Sequence, residues 1–319
     1  MLLLRETAAN VPFSSQSEQF IKSRGLIPIR STVQNVFDQV SKAADANRGF
    51  PGLSTGLEDL DRLILGLDNS ELVMIAGCPE MGKTALAMSI AAFAGLNCEK
   101  NVAIFALELS KEQLVSRLLS RLELIPFKYS KAGILSDRQW RDFADASQLL
   151  SASSIHIDDT PLLTVSDMVT QCRRIQNLGL VVIDSFQLIQ SAGSSAIWSC
   201  ENADHAGISI SRTLKIMARE LNVPVVCTSE LSRAIEFCED KRPMLSDLHD
   251  TGVIEQYIDV VIGLYRGSYY SKEHENPNSA EAIILKNPKG STGTVPLTWF
   301  PDYMSFSSIE RCRYKEYEC

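Results

Sequence analysis

Residues 77–84 read Gly-Cys-Pro-Glu-Met-Gly-Lys-Thr and fit the spacing G-x-x-x-x-G-K-[ST] of a phosphate-binding loop. This octapeptide constrains the fold because its chemistry depends on its shape. Backbone N–H groups must curl around phosphate oxygens, Lys83 must reach the terminal ones, and the Thr84 hydroxyl must meet a Mg²⁺ ion. A random chain of this length shows the pattern about once in a hundred, with Gly at roughly 7% of residues. The flanks fit the same reading. Residues 71–76, Glu-Leu-Val-Met-Ile-Ala, suit a buried strand, and residues 85–94 are Ala-rich and helix-prone. Strand, loop, helix is the required order, because the helix N-terminus adds its partial positive charge to the site.

Beyond the loop, strands and helices alternate. Strands are expected at residues 102–107, 155–157, 180–184, 223–228, 260–265, 280–286 and 294–300, and helices at 111–123, 137–150, 165–177 and 209–221. Near-continuous apolar strands separated by helices imply an α/β fold with a mostly parallel sheet covered on both faces. Residues 287–293 read as a hairpin between the last two strands.

Ahead of the loop, Val33, Val36, Phe37 and Val40 recur at i, i+3, i+4, i+7 and make an amphipathic helix of about four turns. Its solitary apolar stripe needs a surface to pack on. Residues 47–52, Asn-Arg-Gly-Phe-Pro-Gly, break it and read as a linker. The plan is an N-terminal extension (1–30), a linker helix and linker (31–53), an ATPase-sized α/β domain (54–306) and a polar tail (307–319).

Composition excludes several classes. The 319 residues are 45% hydrophobic and 22% charged, as in an ordinary globular protein. No apolar run approaches the ~18 residues of a membrane span, and Met1–Leu4 runs at once into Arg5 and Glu6, so neither a membrane segment nor a signal peptide is expected. Eight cysteines without a C-x-x-C pair argue against a zinc or dithiol site and for reduced thiols in the cytoplasm. A net charge of −8 argues against a surface coated for DNA, though a local basic channel is compatible with it.

Two carboxylates bear on the loop's chemistry. Asp184 ends an apolar strand about a hundred residues after the loop, where a carboxylate holds Mg²⁺ through water. Glu108 follows the strand at 102–107. It is either the base that orients the attacking water or a charge at the start of the next helix.

The chain resembles the C-terminal ATPase domain of the DnaB-type replicative DNA helicases. The runs that carry the resemblance begin with residues 55–61 (TGLEDLD), 81–87 (MGKTALA), 107–114 (LELSKEQL) and 182–188 (VIDSFQL). They continue with 218–225 (ARELNVPV), 231–234 (LSRA), 241–248 (KRPMLSDL), 254–256 (IEQ) and 293–295 (GTV), in order from about residue 30 to 306. The resemblance implies a RecA-like P-loop fold, assembled as a homo-hexamer around single-stranded DNA, with the linker helix on the neighbouring subunit and ATP between subunits. It implies that Gly77, Cys78, Pro79, Glu80, Met81, Gly82, Lys83, Thr84 and Ala85 cradle ATP, that Thr84 and Asp184 hold Mg²⁺, and that Glu108 is the catalytic carboxylate. The loops at 232–241 and 248–252 would face the channel, with Arg233, Lys241, Arg242, His249, Asp250 and Gly252 toward DNA. Primase or a helicase loader are the family's further partners. On this resemblance the runs correspond to the family's C-terminal part and linker helix, and its N-terminal helical domain is expected to be absent from these residues.

The chain departs from the family pattern at several positions. Glu230 stands where the family usually has a Gln that senses the γ-phosphate. Pro288 occupies the usual arginine-finger position and cannot replace it. Lys289 next door offers a point charge, and Lys286 matches the family's lysine, although hairpin solvation alone accounts for either. His249 and Asp250 replace Arg-Glu, which removes a phosphate contact. Glu80 is unusual for the family, and residues 192–206 lack its charged pattern.

Three functions remain open on these residues. The first is an ATP-driven DNA helicase that moves on single-stranded DNA during replication. The second is a hydrolysis-impaired ATP-binding subunit that assembles into or regulates a helicase ring, which Pro288 and Glu230 favour. The third is a RecA-like recombination or repair ATPase, which the runs at 107–114 and 241–248 oppose.

Overall fold

Six apolar residues, Leu72–Gly77, form a strand (β1) with every residue buried. A run without polar alternation fits only the middle of a sheet covered on both faces. The structure, a computed structural model, describes residues 50–190, 203–248, 254–270 and 276–309, together with residues 26, 29–30, 32–33 and 36–37. Most of the expected N-terminal extension and linker helix, residues 191–202, the loop positions His249, Asp250 and Gly252, and the tail from residue 310 lie outside the described residues.

The chain divides into two units, Met1–Gly49 and Phe50–Cys319. In the first, residues 29–30, 32–33 and 36–37 are helical, and Ile29, Val33, Val36 and Phe37 are exposed. The second unit carries the sheet. Its elements run α1 (Glu58–Ile64), β1, α2 (Lys83–Asn97), β2 (Asn101–Ala106), α3 (Lys111–Leu122), α4 (Phe127–Ala132), α5 (Asp137–Ser151), β3 (Ile155–Asp158), α6 (Val165–Cys172) and β4 (Leu178–Asp184). They continue with α7 (Ala203–Leu221), β5 (Val225–Glu230), β6 (Val260–Tyr265), α8 (Gly267–Tyr270), β7 (Ser279–Lys286), β8 (Gly293–Phe300) and β9 (Ser305–Ser308).

Strand order is β3-β2-β4-β5-β1-β6-β7-β8-β9. The first six are parallel, and β7, β8 and β9 add antiparallel at one edge. This is the mostly parallel, helix-flanked α/β sheet expected. The parallel strands β1, β4, β5 and β6 all end on one side, so the loops after them share one edge.

Local sequence explains several element boundaries. Ser110 with Gln113, Ser136 with Gln139, and Thr164 with Asp167 make reciprocal capping boxes that start α3, α5 and α6. Asp61 on α1 is buried and accepts from the Ser54 hydroxyl (2.6 Å), the Thr55 hydroxyl (2.7 Å) and the Thr55 N–H (2.8 Å). The run at 55–61 therefore pins the entry of the chain to α1. Where expectation and structure differ, packing decides. The helix expected over 165–177 stops at Cys172, and Asn177 takes a positive φ of 48° just before β4. Strand β9 has the unpromising sequence Ser-Phe-Ser-Ser and forms by pairing with β8, with the Phe306 ring packed at a tilt against Trp299.

Candidate functional site

The expected loop leaves β1 at Gly77 and enters α2 at Lys83. Gly82 takes φ +100°, and a Cβ there would lie 2.8 Å from the Phe306 ring, so both conformation and space demand glycine. The Lys83 ammonium donates to the Cys78 carbonyl at 3.0 Å and lies folded over its own loop. Burial pulls its pKa down from the ordinary lysine value, and the carboxylates of Glu230, Glu108 and Asp184 oppose that shift.

Asp184, the last residue of β4, is 1% exposed. One oxygen accepts from the Thr84 hydroxyl at 2.9 Å and the other from the Thr228 hydroxyl. A hydroxyl and a buried carboxylate at the mouth of a phosphate loop are the hard oxygen donors that suit Mg²⁺. Together with the cradle kept open by Gly82, they fit a Mg²⁺-bound nucleoside phosphate.

Glu108 follows β2, and strand order places β2 beside β4. The N–H groups of Leu107 and Glu108 both donate to the Asp184 carbonyl, at 2.7 and 3.3 Å. Burial, and next the charge of Asp184, push the Glu108 carboxyl above its ordinary value. The start of α3 is served by other groups: Ser110 caps it, and the Lys111 N–H donates to Asp159 at 3.0 Å. Of the two readings open for Glu108, this geometry favours the one at the nucleotide. Glu230 ends β5 opposite Gly77 and is exposed at the mouth of the loop.

The structure gathers Gly77, Cys78, Pro79, Glu80, Met81, Gly82, Lys83, Thr84, Ala85, Glu108, Asp184 and Glu230 at one edge of the sheet. It sets Lys286 and Lys289 at the other. Lys286 is in register with Val261 near the start of β6, whereas the phosphate loop follows the end of β1. About 16 Å of strand separates the two ends within one chain. Lys286 donates to the carbonyls of Glu255 (2.6 Å) and Ile258 (2.7 Å). Lys289 donates to the Gly66 carbonyl (2.8 Å) and to Glu71 (2.9 Å), and pairs with Asp68 at 3.3 Å. Neither lysine serves the nucleotide loop of its own chain.

The described basic residues toward the expected channel are also engaged. Arg242 makes a two-pronged pair with Glu281 (2.8 and 2.9 Å) and stacks over Tyr265. Lys241 donates to the carbonyls of Glu236 (2.8 Å) and Cys238 (3.1 Å). Arg233 opens the turn Arg233–Phe237, with its side chain outside the described residues.

Sequence reasoning missed several neighbours. Gln187 donates to the Ser229 hydroxyl at 3.0 Å, tying β4 to β5 beside the site. Arg266 donates to the Glu80 carbonyl at 3.0 Å and stacks on Trp299. Thr228 alone left a signal, since it sits near the end of an apolar strand, as Asp184 does.

A family model described as the DnaB-like helicase C terminal domain matches residues 52–308. The chain is 41% identical over 286 residues to the replicative DNA helicase DnaB of Geobacillus stearothermophilus, across 89% of the chain and 62% of that protein. It is 40% identical, over the same shares, to the replicative DNA helicase DnaC of Bacillus subtilis (strain 168). The chain thus spans about 62% of the length of these curated relatives. Among solved structures, one described as an ATPase domain superposes with a TM-score of 0.82 at 32% identity, covering 90% of this chain and all of that one. A DnaB-like replicative helicase, solved in a study of its interactions with primase, gives 0.77 at 31% identity, covering 92% of this chain and 75% of that one.

Proposed function

The chain belongs to the family of DnaB-like helicase C-terminal domains, and from that premise we propose that it is an ATP-hydrolysing DNA translocase of the replicative helicase type. The recombination or repair reading gives way to this membership. The observation that carries the proposal is the meeting of Thr84 and Asp184 at 2.9 Å beside Lys83 on the phosphate loop.

In this reading, loop amides and Lys83 bind the phosphates of ATP. Thr84 and Asp184 hold Mg²⁺, with Thr228 fixing the carboxylate. The bound metal supplies charge neutralisation at the phosphates. Glu108 orients a water and takes its proton as the water oxygen attacks the γ-phosphorus and the bond to the leaving ADP oxygen breaks. Its raised pKa and its place beside Asp184 suit a base at the mouth of the phosphate loop.

The subunit interface completes the site. Lys286 and the Pro288–Lys289 hairpin stand at the far end of the sheet and can meet only a neighbour's nucleotide, as in a head-to-tail ring. The exposed stripe of Ile29, Val33, Val36 and Phe37 supports docking of the linker helix on that neighbour, within a homo-hexamer. Single-stranded DNA would pass the loops at 232–241 and 248–252, with primase or a loader as further partners. Among the described residues no helix is long and apolar enough to cross a membrane, and a cytoplasmic location is part of the proposal.

A second reading has a specific observation in its favour. Lys289 is anchored by Glu71, Asp68 and Gly66, and Pro288 carries no charge, so a hydrolysis-impaired ATP-binding subunit of a ring is the alternative. ATP turnover with and without single-stranded DNA, alongside Lys83→Ala, separates the two. DNA-stimulated turnover lost in K83A supports the motor. ATP binding with negligible turnover supports the alternative.

A further inference from the structure

Glu230 is the carboxylate that the nucleotide chemistry leaves unused. It ends β5 in register with Gly77, and the N–H of Leu231, the next residue, donates to the Gly77 carbonyl at 3.3 Å. Its backbone is therefore fastened to the first residue of the phosphate loop. Thr228, two residues earlier, faces Asp184. Side chains two apart on a strand share a face, so Glu230 leaves β5 on that same side, roughly 7 Å farther toward the mouth. Gln187, on the turn that follows β4, steadies this end by donating to the Ser229 hydroxyl (3.0 Å) and the Glu230 carbonyl (3.4 Å).

We propose that Glu230 is a specificity-determining residue that disfavours a nucleoside triphosphate relative to a diphosphate at this site; the inference rests on the nucleotide reading above. The phosphate nearest the loop amides is common to both ligands. The terminal phosphate of a triphosphate extends toward the mouth, where a third carboxylate joins Glu108 and Asp184 around the single ammonium of Lys83. The charge of Glu230 acts on Lys83 more strongly than either of the other two. A terminal phosphate must compete for that ammonium and sit near a like charge, and a diphosphate largely escapes both costs. Two like charges roughly 8 Å apart at an effective dielectric of about 20 weaken binding by about thirtyfold, and less as salt rises.

The test is binding of ADP and of a non-hydrolysable ATP analogue, each with Mg²⁺, to the full chain and to its Glu230→Gln and Glu230→Asp variants. E230Q should tighten the triphosphate analogue about tenfold to thirtyfold and leave ADP within about twofold. E230D, which keeps the charge, should retain the parent's preference. In the parent, the deficit of the analogue against ADP should shrink as salt rises. Equal tightening of both ligands, or no change in either, overturns the inference. A chain and variants that bind neither nucleotide mark the failure of the nucleotide reading itself, and the inference falls with it.

Discussion

Lys83 and Lys289 sit at opposite ends of the same sheet and are held in opposite ways. Lys83 has one hydrogen-bond acceptor, the Cys78 carbonyl, while burial pulls its pKa down and three carboxylates stand around it. Lys289 has a carbonyl and two carboxylates, Glu71 and Asp68, within 3.3 Å. The difference teaches where the fold leaves its polar groups underused. At the loop end, charge is concentrated and poorly compensated, as is common where a site binds a charged group. At the hairpin end, charge is compensated internally, which is the state of a structural clasp.

The largest effect that sharpens this contrast is expected from Lys83→Ala. It should lower ATP turnover by about a thousandfold, as loss of a charge from a phosphoryl-transfer site does, with the thermal transition nearly unchanged. Steady-state turnover and a melting curve check both halves.

Lys289→Ala should do the reverse. Both it and Glu71 are mostly buried, with side chains 16% and 11% exposed. Removing the ammonium strands a buried carboxylate at a cost of about 2–4 kcal/mol, or several degrees in Tm. Should K289A melt like the parent but lose turnover, the clasp reading breaks and the lysine acts on a neighbour's nucleotide.

The smallest effect is expected from Glu71→Gln. Burial raises the Glu71 pKa despite its hydrogen bond from Lys289, so the folded state holds this proton more tightly than the unfolded chain. Its contribution therefore lowers stability as pH rises from the ordinary carboxylate value of 4.5 to the raised folded value, and stays level above. E71Q should remove that part of the slope and cost less than about 1 kcal/mol at neutral pH, because a neutral amide avoids the desolvation penalty. Denaturation midpoints across pH read it directly.

How far the sequence revealed the two ends follows from the range of their contacts. The phosphate loop spans eight consecutive residues, and Asp184 ends an apolar run, so both were legible from spacing and period. The parallel sheet was legible for the same reason. Thr228 reaches Asp184 only because β4 and β5 are neighbours, and Arg266 reaches Trp299 only across the antiparallel edge. No local pattern encodes that adjacency. Lys289 pairs with Glu71, 218 residues away, so its clasp had no local signature and solvation was the better reading of the sequence. Strand β9 escaped notice because Ser-rich segments read as loops until a partner strand supplies the hydrogen bonds.

The placement of the loop and the hairpin at opposite ends of the sheet also fixes an arithmetic of assembly under the proposed function. A chain alone owns two halves that never meet. An open arc of n subunits contains n − 1 complete sites, and closure adds the last one without adding a subunit. A subunit altered at its loop silences one site, and one altered at Lys286, at the hairpin end, silences the next. Mixed rings of the two kinds would recover a working site wherever an intact loop faces an intact hairpin, a complementation that a site built within one chain can never display.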